Sequence, residues 1–137
     1  MNILLGLLFL TSNKVNPLNL SEEDRVLEVI FTLERGINNK DLSTVAGCFI
    51  TPGKAKEEFK SFFKNIDKLS QYPLICIFNP RVKIKGRKAD VEFEYYFIGL
   101  DKKERERFCV KGRIKLSLMK KVQKWRIKNC DFLIRGR

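Results

Sequence analysis

The chain contains no histidine in 137 residues, so the commonest metal ligand and the commonest acid–base side chain near neutral pH are both missing. Its four cysteines, Cys48, Cys76, Cys109 and Cys130, include no C-x-x-C or other metal-ligand spacing, and no zinc site is expected. Neither a metal nor a cofactor is implied by these patterns. Long apolar runs are absent too. The run Ile3 to Leu10 is eight residues, broken by Gly6, against the roughly 20 that cross a bilayer as a helix. No transmembrane span is expected, and there is no internal repeat, low-complexity tract or interdomain linker.

What is present is enough for one domain. With 44% hydrophobic residues, a chain of this length buries a core without disulfides or metals to staple it. Cys48 falls in an apolar helical stripe and Cys76 in an apolar strand, where thiols behave as small hydrophobes. Four buried free thiols are expected, with a Cys109–Cys130 bridge as the alternative if their strands pair. The formal charge of +12, from 28 Lys and Arg against 16 acids, attracts polyanions such as nucleic acid or anionic lipid. The cations are spread along the chain, however, as they are on solvated helix and strand faces.

Residues 1–19 stand apart from a domain over 20–135. The run Ile3 to Leu10 has the length of a signal-peptide core, but no Lys or Arg precedes it and Thr11-Ser12-Asn13 is a poor cleavage site. No cysteine follows it for lipidation. An export signal, a short apolar element packed on the domain and a misplaced start all remain open, and localisation stays open between export and the cytoplasm.

Three amphipathic segments come next. Ser21 followed by Asp24 caps a helix whose face carries Val26, Ile30, Leu33 and Ile37, ended by Gly36 and Asn38-Asn39. Asp41 caps a shorter helix with Leu42, Val45, Cys48 and Phe49. Thr51-Pro52 opens a third, with Ala55, Phe59, Phe62, Ile66 and Leu69 on one face and Lys56, Lys60, Lys64 and Lys68 on another. Pro73 marks its exit.

The period then changes to two. Leu74 to Phe78 is a short apolar run, and Val82 and Ile84 lead to a turn at Gly86-Arg87. Val91, Phe93, Tyr95 and Phe97 share one face of a long strand, with Glu92, Glu94 and Tyr96 opposite. Gly99 to Arg107 reads as a hairpin loop. Phe108 to Leu118 forms the next strand, with Gly112 expected at a bulge. Lys120 to Lys124 turns the chain into a last strand with Trp125, Ile127 and Asn129. Helices first and strands afterwards predict an α+β domain, three N-terminal helices packed on a strongly curved antiparallel sheet.

Several pieces, in this order and spacing, carry a likeness to a known superfamily. They are the opening helix Glu22 to Asn39, the Asp41 to Phe49 segment, the strand opening Lys88-Ala89-Asp90-Val91-Glu92-Phe93, and the closing Lys124-Trp125-Arg126-Ile127. Over roughly Leu18 to Leu133 the chain resembles nuclear transport factor 2-like, or SnoaL-like, domains. The resemblance implies a cone-shaped fold with a pocket inside, and frequent homodimers through the outer sheet face. It implies little about activity, since the cone hosts isomerases, dehydratases, transport factors and binding proteins. Members similar to ketosteroid isomerase need a carboxylate base and a tyrosine with a protonated acid. Here Ile30 and Phe31 stand where such a tyrosine would be wanted. Dehydratase-like members rely on histidine. No catalytic residue carries over.

Three functions of different class follow. The first is a non-catalytic module binding a small apolar ligand or a protein partner, with Phe62, Tyr95, Phe97, Trp125, Asn129 and Asp131 as pocket candidates; the same aromatics can equally fill the core. The second is a polyanion or nucleic-acid binder using Lys111, Arg113, Lys115 and Lys128 beside Tyr96 and Phe132. The third is a cryptic isomerase or lyase with a non-standard acid–base pair drawn from Tyr95, Tyr96, Glu92, Glu94 and Asp131.

Overall fold

The computed structural model describes residues 21–129. Residues 1–19, with the apolar run, lie outside the described residues, as do Cys130, Asp131 and Phe132. Helices α1 (Glu22–Asn38), α2 (Leu42–Gly47) and α3 (Pro52–Leu69) precede strands β1 (Ser70–Lys85), β2 (Lys88–Asp101), β3 (Arg107–Lys121) and β4 (Lys124–Ile127). The strands pair antiparallel in chain order. Three helices on a curled antiparallel sheet make the α+β cone that the segment order predicts.

The helix starts follow from their caps. Asp24 N–H donates to Ser21 Oγ at 3.1 Å, and Thr44 N–H donates to Asp41 Oδ1 at 3.2 Å, each occupying an amide that the first turn leaves unpaired. Thr51 makes no side-chain cap bond, and Pro52 at the first position starts α3 by fixing its backbone. Val26, Ile30, Leu33 and Ile37 of α1 are buried as their spacing requires. In α3 the buried stripe is Ala55, Phe59 and Phe63. It runs on i, i+4 steps, which leaves Phe62 at the margin and turns Leu69 into solvent at 69% exposure.

Phe49, Phe59 and Phe93 are fully buried with Ile30, Leu33 and Leu118. The Phe59 ring meets Phe49, Phe62 and Phe63 at centroid distances of 5.7, 5.9 and 6.0 Å, in the tilted and edge-on arrangements that aromatic quadrupoles favour. Phe49, Phe59, Phe63 and Phe93 belong to one buried core cluster, with Phe62 packed against it.

The strands run longer than their sequence patterns suggest. Pro73 does not separate α3 from the sheet: β1 begins at Ser70 and passes through Pro73 and Pro80. Its pairing with β2 shifts between Gln71 and Leu74 and between Phe78 and Arg81, with Tyr72 and Asn79 at φ of 54° and 52°. An edge strand with bulges tolerates proline. Gly99 is in strand rather than loop, because the Phe108 ring lies over it: a Cβ there would sit 2.7 Å from Phe108 Cζ. Gly112 marks no bulge, since its register with Tyr95 is unbroken. The Tyr95 ring lies across it instead, 2.6 Å from where a Cβ would be. The bulges that break the register are in β1.

The edge of β1 is closed by side chains of α1. Asn38 Nδ2 donates to Ile75 O at 2.9 Å, Ile75 N–H donates to Asn38 Oδ1 at 2.7 Å, and Ile77 N–H donates to Glu34 Oε2 at 2.6 Å. Four residues of helix rise about 6 Å and two residues of strand about 6.7 Å, so the i, i+4 pair matches the i, i+2 amides. An otherwise open sheet edge is thereby paired.

Candidate functional site

The structure describes five of the pocket candidates, Phe62, Tyr95, Phe97, Trp125 and Asn129. Tyr95 and Phe97 lie two apart on the inner face of β2, opposite Gly112 and Val110; Phe97 is half-buried against Phe108 at 5.7 Å. Phe62 packs edge-on to Phe59. Trp125 is buried opposite Lys120, eight residues along β3 from Gly112, or about 27 Å of strand. Asn129 is exposed at the end of the described chain, and Asp131 lies outside it.

Trp125 belongs to a polar arrangement at the start of α1. Its Nε1 donates to Glu22 Oε2 at 2.9 Å, and Lys120 Nζ reaches the same oxygen at 2.9 Å. The Lys120 hydrogen bond has the largest effect on the Glu22 carboxyl and, helped by the Trp125 bond and the charges of Lys120 and Arg25, holds it below the usual glutamate range against the opposing effect of desolvation. Beside it a cleft of about 430 Å³ opens between α1, α2 and β4, lined among others by Arg25, Glu28, Thr44, Cys48, Trp125 and Arg126. Burial pushes the Cys48 thiol up to about 11, so it stays protonated and unreactive there.

Glu34 is the carboxylate that the sequence reading missed. Desolvation by burial raises it above the usual glutamate range, with the Ile77 amide pulling the other way. The signal was in the spacing: Ile30, Leu33, Glu34 and Ile37 are the i, i+3, i+4 and i+7 positions of one face, so an acid occupies a core-facing place. Its oxygen is committed to the β1 edge. Glu92 lies between Arg81 at 3.4 Å and Arg113 at 3.8 Å, and Glu94 lies 3.9 Å from Lys111 and accepts from Asn79 Nδ2 at 3.0 Å. Among the described residues no group of three or more Cys, Asp and Glu is placed to hold a metal ion, and no helix is long and apolar enough to cross a membrane.

The outer face of the sheet has two halves. Toward the β2–β3 turn it carries Leu74, Cys76, Phe78, Tyr96, Ile98 and Cys109, joined by the pairs Leu74–Ile98–Cys109 and Cys76–Tyr96. Phe78 stacks on Tyr96 at 4.9 Å. Leu74, Tyr96 and Ile98 are exposed, and so are Cys76 and Cys109, which corrects the expectation of four buried thiols: strand alternation turns both outward, and Cys48 is the one buried among the three described. Toward the other end, cations alternate with acids. Lys111 and Arg113 stand opposite Tyr96 and Glu94 and reach diagonally to Glu94 and Glu92, Lys115 stands opposite Glu92, and Lys128 follows β4, its N–H donating to Ser117 O. The candidate polyanion surface is thus an interleaved ladder of both signs.

No family model and no curated protein sequence matches this chain. Solved structures do. A nuclear transport factor 2-like superfamily protein from Salmonella enterica superposes with a TM-score of 0.65 at 16% identity, over 77% of this chain and 84% of that one. The hexachlorocyclohexane dehydrochlorinase LinA-type3 of Novosphingobium barchaimii gives 0.67 at 8% identity, over 77% and 81%. A protein of unknown function with a cystatin-like fold from Nostoc punctiforme gives 0.62 at 12%, over 84% and 90%. The chain has the nuclear transport factor 2-like fold.

Proposed function

We propose that this nuclear transport factor 2-like chain is a non-catalytic binding domain that works through its outer surface and pairs with a second copy across the sheet. The observation that carries this reading is the outer face itself: Leu74, Cys76, Phe78, Tyr96, Ile98 and Cys109 form one contiguous part-exposed patch. Monomers seldom leave such a patch open on a rigid sheet. The neighbouring ladder suits a two-fold partner, because alternating Arg81, Glu92, Arg113, Glu94 and Lys111 can meet opposite signs when the face is turned on itself.

A partner outside the cone is favoured over an apolar ligand inside it, since Phe49, Phe59 and Phe93 occupy the described interior. Catalysis is disfavoured by commitment. Glu34, Glu22 and Asp41 are bound to Ile77, Trp125 and Thr44, and the chain has no histidine to act as base. The dehydrochlorinase activity of one structural neighbour is therefore not carried to this chain.

Sedimentation equilibrium on wild type, Tyr96→Asp and Ile98→Asp tests the pairing. A wild-type dimer and folded monomeric variants are expected. A wild type that stays monomeric across the concentration range, or a dimer indifferent to both substitutions, overturns it.

A further inference from the structure

At the end of the sheet away from that apolar patch, two hairpin tips lie side by side. The β1–β2 tip is Lys85-Gly86-Arg87-Lys88 and the β3–β4 tip is Lys121-Val122-Gln123-Lys124. They are tied together by Lys120 N–H donating to Arg87 O at 2.9 Å and Arg87 Nε donating to Lys120 O at 3.1 Å. The bonds gather five lysines and arginines of the tips, with Lys120, into one knob.

Few acids neutralise it. Lys120 is paired with Glu22, and Asp90 stands opposite Lys83 and accepts from Ser117 Oγ at 3.2 Å. Among the described residues no acid lies within ion-pair distance of Lys85, Arg87, Lys88, Lys121, Lys124 or Arg126. This is the reverse of the sheet face, where each cation cluster contains a glutamate.

The crest of the knob is apolar and strained. Val122 is 87% exposed, and Val122 and Gln123 have φ of 47° and 69°, the left-handed conformation of a type I′ turn. Asn-Gly is the sequence such a turn favours, and a β-branched residue there is an outlier. A residue that is costly for the turn and useless to the core has its chemistry directed outward. At its flank a recess of about 360 Å³ is lined by Ile50, Lys121, Val122, Lys124 and Arg126, so three cations border a space of headgroup size.

We propose that the twin hairpin tips dock on an anionic lipid surface, Val122 entering the headgroup layer while Lys85, Arg87, Lys88, Lys121 and Lys124 meet lipid phosphates. A cationic ring around an aliphatic crest fits a membrane interface, where apolar contact and charge add. Nucleic acid would be served by rings for base stacking, and the tips carry none; Phe78 and Tyr96 are in the other half of the sheet.

The test is co-sedimentation with phosphatidylcholine vesicles, with and without phosphatidylglycerol. Binding to the anionic vesicles alone, falling with added salt, is expected. Each cation near an anionic surface contributes roughly fivefold, so Lys121→Glu/Lys124→Glu should weaken binding by well over tenfold. Lys60→Glu/Lys64→Glu on α3 makes the same change in net charge and should lose much less. Val122→Asn suits the turn better and should keep the fold while weakening vesicle binding severalfold. The proposal is overturned by any of four results: no binding to anionic vesicles at low salt, equal binding to neutral ones, equal losses in the two double variants, or tighter binding to an oligonucleotide than to vesicles at equal phosphate.

Discussion

Replacing Asn38 by alanine should open the edge of the sheet. In the native protein its amide makes two hydrogen bonds to Ile75, at 2.7 and 2.9 Å, which no other residue of α1 is placed to supply. Each such bond is worth about 1 kcal/mol net, so Asn38→Ala should cost about 2 kcal/mol. The further penalty of an unpaired backbone group is softened because Ile75 is half-buried and water can reach it. At this chain length the loss corresponds to roughly 4 °C per kcal/mol, or about 8 °C in Tm. Asn38→Asp would not rescue it: the carboxylate still accepts from Ile75 N–H but faces the Ile75 carbonyl with no donor. Glu34 of α1 holds the same strand at Ile77, so a Glu34→Ala/Asn38→Ala cycle should show coupling of about 0.5 kcal/mol or more. Urea unfolding followed by circular dichroism measures both. A loss under about 0.5 kcal/mol for Asn38→Ala, with an unchanged m-value, would refute the idea that α1 closes the β1 edge.

Other expectations are as direct. The raised Glu34 carboxyl contributes stability that is fully present below the ordinary glutamate range and lost as pH rises through its higher folded value. Glu34→Gln should therefore gain on wild type between acid and neutral pH in urea titrations, and a pH-independent difference would contradict the assigned burial. Glu22 runs the other way. Its lowered carboxyl adds stability above the ordinary glutamate range that is lost as pH falls through its folded value, and Trp125, the sole tryptophan, should report that titration in its emission unless Glu22→Gln is present. In a Cys130→Ser background, maleimide should label Cys76 and Cys109 quickly and Cys48 only after unfolding, as mass spectrometry of timed samples would show. Gly112→Ala should cost about 1–3 kcal/mol, because the Tyr95 ring must leave its place; thermal melts of Gly112→Ala and Gly112→Ala/Tyr95→Ala should show the second change relieving the first.

What could be read in one dimension was what one dimension encodes. The caps at Ser21 and Asp41, the α1 stripe from Val26 to Ile37 and the alternation from Val91 to Phe97 are all spacings within a single element. They fix which elements form, and their order fixes the α+β class, because helices and strands with one apolar side each have few ways to cover one another. The basic balance was legible in the same way. The candidate site was legible only as a set of residue types: aromatics, cations and few acids.

Contacts between elements decided the rest. Tyr95 and Trp125 both read as pocket aromatics, yet the register sends one across Gly112 and the other to Glu22. Gly112 carries the same letter whether it marks a bulge or the seat of a ring, and only the opposite strand distinguishes them. That Glu92 and Glu94 would meet cations of the next strand, Lys111, Arg113 or Lys115, was legible from alternation, but which cation each meets was decided by the folded sheet, while two lysine-rich turns 33 residues apart became one cationic knob through the Arg87–Lys120 bonds. Local spacing determines an element because its forces act within a few residues. The neutralising partner, the covered edge and the unneutralised surface depend on side chains distant in sequence, and those distances exist only once the sheet has folded.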